Sequence, residues 1–175
     1  MSTLQPIPDD KDWTWVLSRP CPECGFVPDT CESREFGEML RINAQRWAAV
    51  LERPDVAARP EDRTWSPLEY ACHVRDVHRI FAERLVLMLE VDNPQFPNWD
   101  QDATAVASDY AAQDPAVVSA ELVESANHVA SLYDGVTGDQ WTRLGTRSNG
   151  SVFTVDTIGR YHLHDDVHHL WDVHG

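Results

Sequence analysis

The chain is 175 residues long, enough to bury a core as one domain without disulfides or a second domain. It carries 14 Lys and Arg against 29 Asp and Glu, a formal net charge of −15 that repels phosphate backbones and anionic membrane surfaces, so nucleic acid and membrane are not expected partners. The first residues have no basic, apolar leader, and no run approaches the roughly 18 apolar residues of a membrane span, so a cytoplasmic protein is expected.

In chain order, residues 1–33 are rich in Pro and Asp and show no sustained period, which predicts an irregular extension packed along the outside by Trp13, Trp15 and Phe26. In a reducing compartment its cysteines are read as thiols or ligands rather than as disulfides. Cys21 and Cys24 form a CxxC turn, with Cys31 near enough to be a third ligand and no evident fourth. That turn reads in three ways: two reduced thiols, half of a second zinc site, or a redox pair.

Residues 34–175 take a helical period and are expected to form a second, bundle-shaped unit. The first helix runs from Ser33 to about Leu51, with Phe36, Leu40, Trp47 and Val50 on one stripe and Asn43 beside them as a buried amide. The second opens at Ser66-Pro67 with Glu69 completing a capping box, and runs to about Glu90. Its apolar stripe contains His73 and Arg84, the latter requiring a buried acceptor, while His78 falls at the surface or edge. Residues 92–114 form the longest connection, an acidic and aromatic loop suited to cover the mouth of a site with Trp99, Asp100 and Asp102. The third helix starts at Asp114-Pro115 and stops at Gly135, residues 138–150 are turn-like, and Phe153-Thr154 leads into the last helix. Strand signals are nearly absent, which predicts an all-α fold: a four-helix bundle of the up-and-down type with an irregular N-terminal extension.

Half of the eight histidines lie in Tyr161–Trp171. Residues four apart share a helix face, so His164 and His168 can present two imidazoles to one metal ion. On a wheel His164 falls on the apolar arc with Leu163, Val167 and Leu170, and His168 at its edge. The competing pair, Asp165 with His169, falls on the polar side with His162 and Asp166 and is expected to face solvent. Inward histidines on two helices, His73 and the 164/168 pair, suggest one metal site between them, against the plainer alternative of histidines buried for packing.

Trp65-Ser66-Pro67-Leu68-Glu69 followed by His73, with His164 and His168 on the last helix, resembles the DinB-like four-helix metalloprotein superfamily over about residues 34 to 173. The tail resembles the Glu-x-x-x-His-His form of its isomerase branch with His in place of Glu. The N-terminal Cys-Pro-Glu-Cys-Gly-Phe and the loop Asn98–Asp102 look like an actinobacterial branch. The resemblance implies a bundle whose second and fourth helices supply three ligands, here His73, His164 and His168, for a divalent metal, zinc first and nickel as an alternative. It also implies a small-molecule substrate and a homodimer, as related bundles often form. The superfamily includes bacillithiol transferases and mycothiol-dependent maleylpyruvate isomerases, so the leading expectation is a transferase or isomerase dependent on a low-molecular-weight thiol, with Asp100 or Asp102 positioning substrate. A hydrolase using metal-bound water, and a metal-containing binding protein without chemistry, are the alternatives.

Overall fold

The computed structural model describes residues 6–8 and 11–175. The first five residues, which bear on the expected cytoplasmic placement, lie outside the described residues. The helices are α1 Phe36–Leu51, α2 Pro67–Glu90, the short α3 Gln101–Ala107, α4 Pro115–Asp134 and α5 Val155–Asp172. Their starts follow the side-chain chemistry at each N-terminus. Ser66 Oγ accepts from the Glu69 amide at 3.2 Å while the Glu69 carboxylate accepts from the Ser66 amide at 2.8 Å, so two otherwise orphaned donors are satisfied reciprocally. Asp114 caps α4 by accepting from the Ala116 amide at 2.8 Å, with Pro115 preset in the first helical position. Thr154 does the same for α5 through the Thr157 amide at 3.0 Å.

The four long helices form a bundle in which α4 packs against both α1 and α2, and α5 packs against the same two helices. α1 and α2 therefore sit diagonally across the bundle. α1 and α4 approach closely at Gly37, where a Cβ would stand 2.9 Å from the Ala130 carbonyl oxygen. The interior is filled by large apolar side chains, among them Phe36, Leu40, Trp47, Leu85, Leu122 and Leu163, all fully buried. Each contributes about 1.5–3 kcal/mol by leaving water.

A small sheet stands beside the helices. β2 (Leu144–Arg147) and β3 (Val152–Thr154) make an antiparallel hairpin, with Gly150 at φ 89° in its turn, and β1 (Gln95–Phe96) pairs parallel with β2. Strands of two to four residues contain too few alternations for a period to register in sequence. The sheet joins the segment before α5 to the long connection after α2. That connection also contains α3, capped by Asp100, where an irregular loop was expected.

The N-terminal segment is irregular, as its composition predicts, with 3-10 turns at Trp13–Leu17, Pro28–Thr30 and Ser33–Glu35. It lies along α5, where Val16, Cys21 and Phe26 are buried. Arg160 of α5 donates to the carbonyls of Pro28 and Cys31, the latter at 2.6 Å, and fastens the segment there. This cover corrects the expected polar face of α5. His162, His164, Asp166 and His168 are all buried, because α1 and α2 occupy one side of the helix and the N-terminal segment the other. His78, expected at the surface or edge, is also fully buried, with Nδ1 2.9 Å from His162 Nε2. Among the described residues no helix is long and apolar enough to cross a membrane.

Candidate metal centre

α5 contains two pairs at i, i+4 spacing within the same two turns, His164 with His168 and Asp165 with His169, rotated from each other by about 100°. The Asp165 and His169 pair meets α2. There His73, two turns in from the Ser66 cap, places Nε2 3.4 Å from Asp165 Oδ1, and the same oxygen lies 3.7 Å from His169 Nε2. The rings of His73 and His169 stand edge to face with centroids 4.8 Å apart. Those separations are long for hydrogen bonds. They are close to the distance of about 3.4 Å between nitrogen and oxygen ligands on a tetrahedral ion with bonds of about 2.0–2.2 Å. Both ring nitrogens of His73 and Asp165 Oδ1 are buried without a hydrogen-bond partner. Buried polar atoms are normally paired, and His73 Nε2 and Asp165 Oδ1, which face each other beside His169, fit a cation as the missing partner.

The electrostatics of His73 and Asp165 agree, while at His169 a proton competes with a cation. Burial pushes the His73 pKa down and keeps its imidazole neutral, the form that ligates. Burial would raise Asp165, yet His169 and His73 opposite hold it well below the usual carboxylate range. For His169 burial acts downward, and the carboxylates of Asp165 and Asp172 outweigh it and raise the pKa. His169 Nδ1 lies 2.8 Å from Asp172 Oδ2. A carboxylate only accepts, so the ring donates there and Nε2 is left directed at Asp165. The His73 ring is held by Trp99, stacked at 5.3 Å and 7°, and by Trp65 at 5.4 Å.

The expected trio is not one group in the structure. His73 is joined by Asp165 and His169, while His164 and His168 turn toward the N-terminal segment and meet Cys21 and Cys24. The wheel correctly marks His164 as inward, but a helix covered on both sides has two interiors, and that one is not shared with α2. The Asp165-x-x-x-His169 pair has the same spacing, and two acidic or basic groups facing a buried histidine are the signal that a one-sided reading passes over. Asp100 accepts from the Ala103 amide at 2.9 Å as the cap of α3, and Asp102 stands in the first turn of that helix. Cys31 is outside both donor groups, and Cys72 is buried toward the Tyr110 carbonyl, its thiol pushed up to about 12 by burial. Arg84 finds its acceptor in the Pro97 carbonyl at 3.1 Å, with its guanidinium over Phe96. Asn43 is buried, its side-chain nitrogen without a hydrogen-bond partner.

A cleft of about 340 Å³ opens over Asp165 and His169 and is lined by Trp13, Trp65, Tyr70, Gln101, Asp102 and Tyr161, among others. Asp102 thus has access to a molecule in the cleft, whereas Asp100 lines a neighbouring cavity of about 380 Å³ with Trp99 and Arg147. A cleft of this size, whose aromatic walls alternate with charged groups such as Lys11, Arg63, Glu23 and Asp102, suits a small polar molecule.

A family model described as the DinB superfamily matches residues 38–173. Comparison with curated proteins gives no match. Among solved structures the fold is similar to YfiT from Bacillus subtilis, with a TM-score of 0.70 and 19% sequence identity, covering 79% of this chain and 82% of that one. YfiT is described as a probable metal-dependent hydrolase with an unusual four-helix bundle topology.

Proposed function

Because the chain belongs to the DinB superfamily, we propose that it is a metal-dependent enzyme in which His73, Asp165 and His169 hold a divalent ion and a low-molecular-weight thiol is the nucleophile. The observation that carries the metal site is the set of buried donor atoms facing one another below the cleft, and the thiol follows from the resemblance to thiol-dependent members of the family. Two imidazoles and one carboxylate are the donors of catalytic zinc sites that keep a position open, and nickel accepts the same set. An ion there supplies an open position that lowers the pKa of a thiol or a water and polarises an electrophile.

The chain's own residues do the remainder. Asp172 orients His169, and Trp99 and Trp65 fix the ring of His73, so the donor set is built before the ion arrives. Trp13, Trp65 and Tyr70 shield the reacting atoms from bulk water, and Asp102 and Gln101 offer polar contacts that orient the substrate. In the transfer the thiol loses its proton to solvent, a sulfur–carbon bond forms, and the leaving group departs with the electron pair of its bond to that carbon. Hydrolysis, with water replacing the thiol, is the second reading, favoured by the description of YfiT.

The test is conversion of an electrophile such as chlorodinitrobenzene, and of an ester such as nitrophenyl acetate, by tag-free, metal-loaded protein with and without a mycothiol-type thiol. Thiol-dependent conjugation that disappears in His169→Ala supports the first reading. Thiol-independent ester cleavage lost in the same variant supports the second. Equal rates in variant and wild type would remove both.

A further inference from the structure

The second donor group lies one face round on α5. Cys21, Cys24, His164 and His168 each bring a ligand atom to within 4.8 Å of the others, and three of the four residues are buried. We infer that these residues form a closed, structural zinc site, distinct from the open set at His73, Asp165 and His169, which fastens the N-terminal segment to α5.

Three observations support this beyond the proximity itself. The first is the turn that presents the sulfurs. The Cys21 amide donates to the Phe26 carbonyl at 2.8 Å and the Gly25 amide to the Cys21 carbonyl at 3.0 Å, closing Cys21–Phe26 into a loop with Gly25 at φ 76°. Only glycine takes that conformation freely, and the loop leaves both thiols on the side of α5. Secondly, Cys21 Sγ is 3.6 Å from His168 Nδ1. Sulfur and nitrogen on a tetrahedral zinc, with bonds of about 2.3 and 2.0 Å, stand about 3.5 Å apart. Thirdly, His164 Nε2 is buried without a hydrogen-bond partner, a polar atom that a cation would satisfy.

The surroundings match a structural ion. His168 turns Nε2 to the Glu23 carboxylate at 3.5 Å, so a carboxylate backs the ring on the side away from Cys21, as is usual for histidine ligands. Trp13 packs on the rings of His164 and His168 at 5.5 and 5.0 Å, and Phe26 on His164 at 5.6 Å, so aromatic side chains cover much of the group where its two histidines border the cleft. Two thiolates and two imidazoles fill a tetrahedron and leave no position for substrate, the pattern of structural rather than catalytic zinc. The site has work to do here. The segment it holds contributes Trp13 and Glu23 to the cleft, and the turn of α5 it stiffens is the one that carries Asp165 and His169.

The experiment is elemental analysis of tag-free protein together with the absorption spectrum of cobalt-reconstituted protein, on wild type, Cys24→Ser and His169→Ala. Two equivalents of metal are expected in the wild type. One, together with the sulfur-to-cobalt charge-transfer band, is lost in Cys24→Ser. The other is lost in His169→Ala, which keeps the band. A wild type without the band, or a Cys24→Ser protein that retains it, would overturn the inference, whichever way the open site behaves. Should Cys24→Ser fail to fold, a mercurial added to the wild type replaces it. Release of one equivalent of zinc to a chromogenic chelator, in step with modification of the first two thiols, supports the site, and no release refutes it.

Discussion

Asp172 stands one turn beyond the donor set on α5 and accepts from Nδ1 of His169, 2.8 Å away, so the ring cannot rotate without losing a charge-assisted hydrogen bond. Replacing Asp172 by Ala is expected to weaken metal binding at the open site by about 10–100-fold while leaving the bundle folded. Competition with a chromogenic chelator measures the affinity, and an unchanged value would mean that the carboxylate does not orient the ligand.

Trp99 reaches His73 from the connection between α2 and α4 and stacks nearly parallel to it. An aromatic pair of this kind contributes about 0.5–1.5 kcal/mol beyond buried area. Trp99→Ala should therefore loosen the ring and weaken metal binding by up to about tenfold, with a smaller effect for Trp99→Phe. Equal affinities in all three proteins, by the same chelator competition, would count against this role.

His78 gives a pH dependence whose sign can be worked out. Burial depresses its pKa from 6.5 to about 4, so below 6.5 the unfolded chain binds a proton that the folded one does not. The contribution is fully present above pH 6.5 and is lost as pH falls toward about 4, on the order of 3 kcal/mol across that window. The difference in urea midpoint between wild type and His78→Gln should shrink or reverse on acidification. A difference independent of pH would show that His78 does not titrate on unfolding.

Gly159 lies where α5 passes Phe36 at the start of α1. A Cβ there would stand 2.6 Å from Phe36 Cδ2 and 3.2 Å from Tyr133 Cε1, against side chains that are themselves buried. Gly159→Ala, a favourable change for an exposed helix position, is expected here to destabilise by about 1–3 kcal/mol. Chemical denaturation would read this directly, and a more stable variant would mean that the rings yield.

Much of the fold was legible because helix starts are local chemistry. Ser66-Pro67 with Glu69, Asp114-Pro115 and Thr154 each satisfy backbone donors within three residues, so α2, α4 and α5 begin where the sequence indicates. The irregular character of the N-terminal segment followed from its lack of any period. The sheet was not legible, since strands this short leave no alternation. His73 was legible as a candidate because a histidine on an apolar stripe needs a partner. The groups that lie against it, Asp165 and His169, are the pair the wheel sends to the solvent side.

By itself the sequence determined that two pairs of donor side chains would sit on the last helix, since four-residue spacing brings side chains to one face whatever surrounds it. It also determined the CxxC turn, which is closed by its own backbone. Which pair meets which neighbour depends on the rotation of α5 about its axis, and the 100° between adjacent residues is all that separates His164 and His168 from Asp165 and His169. Packing against α1 and α2 on one side and the N-terminal segment on the other sets that rotation. Tertiary structure alone therefore assigned Asp165 and His169 to His73, and gave the cysteines their histidines, because those contacts join residues distant in the chain and no local spacing encodes them.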